Sequence, residues 1–203
     1  MRVVMNSLTK QVLAHVESQP EGTPLTAKGL LHLSNRAAVD QTLSRLARSG
    51  QVMRLGRGVY VRPIKTKFGT RAPFAEEVIE QFASARGETI VSSGAAAANA
   101  LGLTTQVPIK TIYLTSGRSR RLALGNQSVE LRHAKPWQLA KTSERVGQAA
   151  RALEWLGPQL AARALTTLNT RLQPAELKEL QAMRPLLPEW LAQKISATVA
   201  THG

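Results

Sequence analysis

An α+β fold is what this 203-residue sequence predicts: an N-terminal winged helix-turn-helix, then a mixed α/β domain with a helical C-terminal part. Three observations carry the expectation. Apolar residues recur at helical spacing between residues 7 and 48 and again after Trp137. Between those stretches, short runs rich in β-branched and long apolar residues alternate with glycines, the punctuation of strands and hairpins. Cysteine is absent, so the chain, 43% hydrophobic, has to bury an apolar core without disulfides.

Residues 7–18 place Leu8, Val12, Leu13 and Val16 on one stripe and predict a first helix. The cluster Gln19-Pro-Glu-Gly-Thr-Pro24 ends it. A short second helix is expected over 25–31, with Leu25, Leu30 and Leu31 inward. Ser34 offers an N-cap hydroxyl to a third helix, in which Val39, Leu43 and Leu46 mark the buried face and which Gly50 stops. Residues 51–55 and 59–62 predict two strands, joined through Gly56-Arg57-Gly58, where glycine permits positive φ. Residues 1–64 thus form the expected winged unit, and 65–73 a basic linker.

Residues 74–203 form the expected second domain. A helix is predicted over 74–85, with Val78, Ile79 and Phe82 on its core side. A strand over 88–92 follows, then a small-residue helix over 95–101 ended by Gly102. Further strands are expected over 110–115, 120–124 and 128–133, the last two around a Gly125-Asn126 turn. From Trp137 the pattern is helical, with Val146, Ala149, Ala150, Leu153 and Leu156 on one stripe. Pro158, Pro174, Pro185 and Pro188 punctuate it, and Pro174 with Glu176 suits a helix start. Neither an internal repeat nor a low-complexity tract interrupts this order.

Charge narrows the function. The formal net charge is +14, which favours a polyanionic partner. Residues 1–70 hold 11 Lys/Arg against 3 Asp/Glu, a net of +8, and the remainder 16 against 10, a net of +6. Residues 34–62 alone carry six arginines against one acid, Asp40. Without cysteine there is no thiolate zinc site and no cysteine nucleophile. No apolar run approaches the roughly 18 residues of a membrane span, and the N-terminal Met-Arg-Val-Val-Met-Asn lacks the apolar region of a secretory leader. The expectation is a soluble cytoplasmic protein with no membrane partner.

A basic helix followed at once by a basic β-wing is how winged helix-turn-helix proteins meet double-stranded DNA. With Val39, Leu43 and Leu46 inward, the helix presents Arg36, Asp40, Gln41, Ser44, Arg45 and Arg48 on its opposite face. Its N-terminal part, Asn35, Arg36, Ala37 and then Gln41, holds the expected base readers, and Ser34 and Ser44 are expected among the DNA-binding residues. Arginine pairs bidentately with guanine, Asn or Gln with adenine, and Ala meets a thymine methyl. Arg45 and Arg48 are expected on phosphates, Arg57 at the wing tip in a minor groove or on a phosphate, with Arg54 and Arg62 in support. Asp40 stands four residues after Arg36 and is expected to orient it. A second basic feature, Arg118, Arg120, Arg121 and Arg132 with Lys135 and Lys141, suits contact with nucleic acid or an acidic partner protein.

Catalysis is not expected. Asp40 is the sole aspartate, whereas metal-dependent nucleases gather several hard oxygen ligands at one place. Glu76, Glu77 and Glu80 read as a solvated helix face, with Glu88 and Glu130 isolated. His15, His32, His133 and His202 show no ligand spacing, so neither a metal nor another cofactor is expected. Ser92-Ser93-Gly94 is no nucleophile elbow, and phosphate-cradling glycine patterns are missing.

The order of the winged unit, a linker, the strand leading into Ser93-Gly-Ala-Ala-Ala-Ala-Asn-Ala-Leu-Gly-Leu103, and then Thr111-Ile-Tyr-Leu-Thr-Ser-Gly-Arg118 resembles the AbiE-type antitoxin family of type IV toxin–antitoxin systems. The residues that carry the resemblance are 38–50, Arg57-Gly58-Val59-Tyr60, 93–103 and 112–118, and it covers roughly residues 5–135. The resemblance implies an N-terminal domain that binds inverted repeats in its own promoter as an autorepressor. It also implies a C-terminal domain that counteracts a cognate nucleotidyltransferase-like toxin encoded beside it. The alternative is a plain winged-helix transcriptional regulator whose C-terminal domain senses a ligand or dimerises. Residues 137–203 match no motif of the family, and the sequence carries no signal of oligomeric state.

Overall fold

The computed structural model describes residues 2–140 and 144–200, with side chains over 8–140 and 144–197; Lys141 and His202 lie outside the described residues. The chain is α+β and divides into two compact units. The first comprises Met1–Glu88 with Arg120–Glu130, the second Thr89–Ser119 with Leu131–Gly203.

The first unit starts with α1 (Arg2–Ser18), which buries Val12 and Val16. The helix expected over 25–31 does not form. Leu25–Thr26 is instead a short strand, β1, and Lys28–Leu30 a single 3-10 turn. Gly29 disfavours an α-helix here, and β1 satisfies the edge of a neighbouring strand, Leu25 opposite Tyr60. The Thr26 hydroxyl accepts from the Gly29 N–H at 3.3 Å and holds the turn. Leu25 and Leu30 are buried as expected, but Leu31 is exposed.

Helix α2 (Arg36–Arg48) buries Val39, Leu43 and Leu46, the face that the periodicity marks, together with Thr42. Its cap is Asn35, not Ser34: Asn35 Oδ1 accepts from the Ala38 N–H at 3.0 Å. The helix opens one residue later than expected, and asparagine caps as well as serine does. Truncation of Asn35 to Ala should therefore cost about 0.5–2 kcal/mol, read as a lower denaturation midpoint, whereas Ser34→Ala should be nearly silent. At the other end the Gly50 N–H donates to Ala47 O and the Gln51 N–H to Leu46 O, the paired bonds of a Schellman stop.

Strands β2 (Met53–Gly56) and β3 (Val59–Val61) form an antiparallel hairpin with a bulge between Arg54 and Gly56. The order is β1-β3-β2, so the fully buried β3 lies at the centre. The stretch expected to be a linker is a second hairpin, β4 (Ile64–Thr66) paired with β5 (Gly69–Arg71). The β-branched Ile64, Thr66 and Thr70 favour extended backbone. The Thr66 hydroxyl donates to Gly69 O at 2.9 Å and accepts from the Phe68 N–H at 3.2 Å, and Gly69 adopts φ +116, which only glycine holds comfortably.

Helix α3 (Ala75–Arg86) follows, with Glu77 accepting from the Phe74 N–H at 3.3 Å and Val78, Ile79 and Phe82 buried. The unit is completed from further along the chain by β8 (Arg120–Leu124), the Gly125-Asn126 turn and the first part of β9 (Gln127–His133). Strand β8 runs beside β2: the Arg121 carbonyl stands within van der Waals reach of Gly56, and Gly125 lies against Met53 and Ala72.

In the second unit, β6 (Ile90–Ser92) pairs antiparallel with β7 (Thr111–Thr115), Val91 opposite Leu114. Between them Ser93 caps α4 (Gly94–Ala100), its Oγ accepting from the Ala96 N–H at 3.4 Å. The small residues of α4 let it settle closely on α5 (Glu144–Arg171), whose Val146, Ala149, Ala150 and Leu153 are buried. The long α5 is two helices joined by a kink at Gly157 (φ 75, ψ 175), one residue ahead of Pro158. Helices α6 (Pro174–Ala182) and α7 (Glu189–Ala200) close this core, with Leu180, Leu191 and Ile195 inward. Proline stands at the start of α6, as expected.

Candidate nucleic-acid interface

The sequence from Ser34 to Arg71 holds nine Lys/Arg and one acid, and all of it lies in the first unit. Helix α2 turns Arg36, Ala37, Gln41 and Arg48 to solvent, because the residues between them fill the core. The Arg36 side chain is 72% exposed, with Nε 3.6 Å from Asp40 Oδ2, the i, i+4 pair that the spacing predicts. At that exposure the pair adds little stability; its effect is to lay the guanidinium along the first turns of the helix. Ser44 and Arg45 are half-buried, and Arg45 Nε is buried without a hydrogen-bond partner. Asn35 is exposed, but its Oδ1 is committed to the cap; Ser34 is half-buried.

In the first hairpin, Arg57 is exposed at the turn between β2 and β3. Exposed Arg54 donates from Nε to Gly56 O at 3.4 Å, and its guanidinium lies 5.9 Å from the Tyr60 ring centre, which stiffens the arm. Arg62 is tied into the fold. It is half-buried and donates from Nη1 to Glu17 O at 3.1 Å, so it ties the hairpin to the carbonyl end of α1.

The other basic run is divided. Arg121 is exposed in β8, beside the first hairpin. Arg120 pairs with Glu88, and its guanidinium stands 4.7 Å from the Phe82 ring centre. It ties β8 to the segment that follows α3. Arg118 and Arg132 are exposed and belong to the second unit.

Sequence reasoning missed the β4–β5 hairpin, where Lys65, Lys67, Phe68 and Arg71 are all exposed. The signal was present: β-branched residues at 64, 66 and 70 around a Phe-Gly turn.

Among the described residues, no group of three or more His, Cys, Asp or Glu could hold a metal ion. Glu77 is engaged at the start of α3, and the His15 and His32 rings only tilt against each other, centroids 5.5 Å apart. In the second unit Arg151 is 5% exposed. Burial pushes its guanidinium below the ordinary arginine value, with Glu144 acting in the opposite sense. Its Nη1 donates to Gln138 O at 3.1 Å, which makes it an internal tie. No described helix is long and apolar enough to cross a membrane.

A model of a protein family described as a family of unknown function (DUF6088) matches residues 11–176. No curated protein matches the chain.

Proposed function

The chain belongs to the DUF6088 family, of unknown function, and we propose that it is a winged-helix DNA-binding antitoxin that represses its own operon and counteracts a nucleotidyltransferase-like toxin. One observation carries the DNA half of the reading. Arg36, Gln41 and Arg48 stand exposed on α2, and a hairpin with exposed Arg57 at its turn follows the helix directly, with Asp40 as the sole acid in the stretch. Such a surface attracts phosphates by charge and offers base edges a planar donor pair on Arg36. The antitoxin half rests on the resemblance to the AbiE-type family.

On this reading Arg36, Ala37 and Gln41 read bases, while Arg45, Arg48, Arg54 and Arg57 position the helix on phosphates. Arg36→Ala should lower affinity for the duplex upstream of the gene about 10–100-fold in a band-shift titration at fixed salt. An unselective shift, indifferent to duplex sequence and unaffected by Arg36→Ala, would defeat base reading. Co-expression with the adjacent gene, scored by growth, tests the antitoxin half. A neighbour without toxicity, together with selective operator binding, would leave a plain transcriptional regulator.

A further inference from the structure

The β4–β5 hairpin plays no part in the function proposed above, yet it has the features of a nucleic-acid arm. Phe68 stands at its tip, 90% exposed, where a phenyl ring gains nothing from the folded core. The tip is held in shape by the two hydrogen bonds of the Thr66 hydroxyl. Lys67 Nζ lies 5.0 Å from the Phe68 ring centre, and the Arg71 guanidinium 4.3 Å from that of Phe74, itself exposed. Lys65 adds a third cation, and the hairpin holds no acid.

We propose that this hairpin is a second duplex-DNA-binding arm, with Lys65, Lys67 and Arg71 on phosphates and Phe68 wedged into a base step from the minor groove. The proposal rests on the DNA-binding reading and extends it to an element which that reading does not use. A flat ring inserted at a step unstacks it and bends the duplex, and flanking cations offset the exposed backbone charge. An apolar protein groove suits this tip poorly, because closing over Phe68 would strand the ammonium of Lys67 away from water. DNA takes ring and ammonium together.

The test uses the full-length protein and a short duplex from the region upstream of its gene, labelled at both ends for energy transfer. Wild-type protein should bind the duplex and bring its ends together, as a bend of roughly 20–90° requires. Phe68→Ala should weaken binding about 10-fold and leave the duplex straight, while Phe68→Trp keeps both properties. Lys67→Ala should lower the salt slope of binding by about one. Circular dichroism should be unchanged throughout, since the ring is exposed. Unchanged affinity and bend in Phe68→Ala, beside a loss of binding in Arg36→Ala, would overturn the arm and leave the DNA reading standing. A wild-type protein that binds no duplex would bring down both. Preference for the single strand of the same sequence, or an oligomer that Phe68→Ala dissociates without loss of DNA affinity, would also overturn it.

Discussion

Phe82→Ala should destabilise the first unit by about 3–5 kcal/mol, the range for truncating a fully buried phenylalanine. The ring is 0% exposed, and the guanidinium groups of Arg86 and Arg120 lie 4.8 and 4.7 Å from its centre. Truncation opens a cavity and removes the surface on which Arg120 rests while paired with Glu88. A chain of this size should lose roughly 2–4 °C of melting temperature per kcal/mol, so the drop is well above experimental error. Phe82→Leu refills most of the volume and removes only the ring's affinity for cations, a loss of about 1 kcal/mol. A Phe82→Ala protein that denatures within 1 kcal/mol of wild type would show that the contacts around the ring are not those described.

Gly94→Ala should also destabilise, although alanine is the better helix former by about 1 kcal/mol. A Cβ on residue 94 would lie 2.5 Å from the Arg151 carbonyl oxygen and 2.6 Å from Trp155 Cβ. Neither atom can rotate away, so α4 has to lift off α5. Overpacking of this kind costs roughly 1–3 kcal/mol, and two rigid obstacles set the expectation at the upper end. Because propensity and packing pull in opposite directions, the sign alone decides. Urea denaturation of Gly94→Ala that shows a gain in stability would refute the close α4–α5 seam.

The periodic elements were legible in the sequence, because burial enforces their spacing. Val39, Leu43 and Leu46 define α2, and Val78, Ile79 and Phe82 define α3, on residue pattern alone. The short elements were not. Whether 25–31 coils or extends depends on the edge of β3, a partner more than thirty residues away, which local propensity cannot report. The β4–β5 hairpin was obscured by its charge, since Lys65, Lys67 and Arg71 dilute the apolar alternation that marks a buried strand. For the candidate interface, the sequence identified which residues are basic but not which are already engaged. Arg62 and Arg120 look no different from Arg57 until the Glu17 carbonyl and the Glu88 carboxylate are seen to hold them.

The first unit is discontinuous in the chain: its last strand pair, from Arg120 to Glu130, is separated from Glu88 by a segment of the second. During synthesis, the edge formed by Met53–Gly56 must therefore wait for a neighbour made some seventy residues later. A nascent chain halted anywhere before Arg120 carries an incomplete first unit, with the β2 side of its small sheet uncovered. Loop closure over that separation is a slow step compared with local helix formation. Nascent and finished chains thus differ in which surface they show, and the first unit is completed late, with the final third of the polypeptide still to be made.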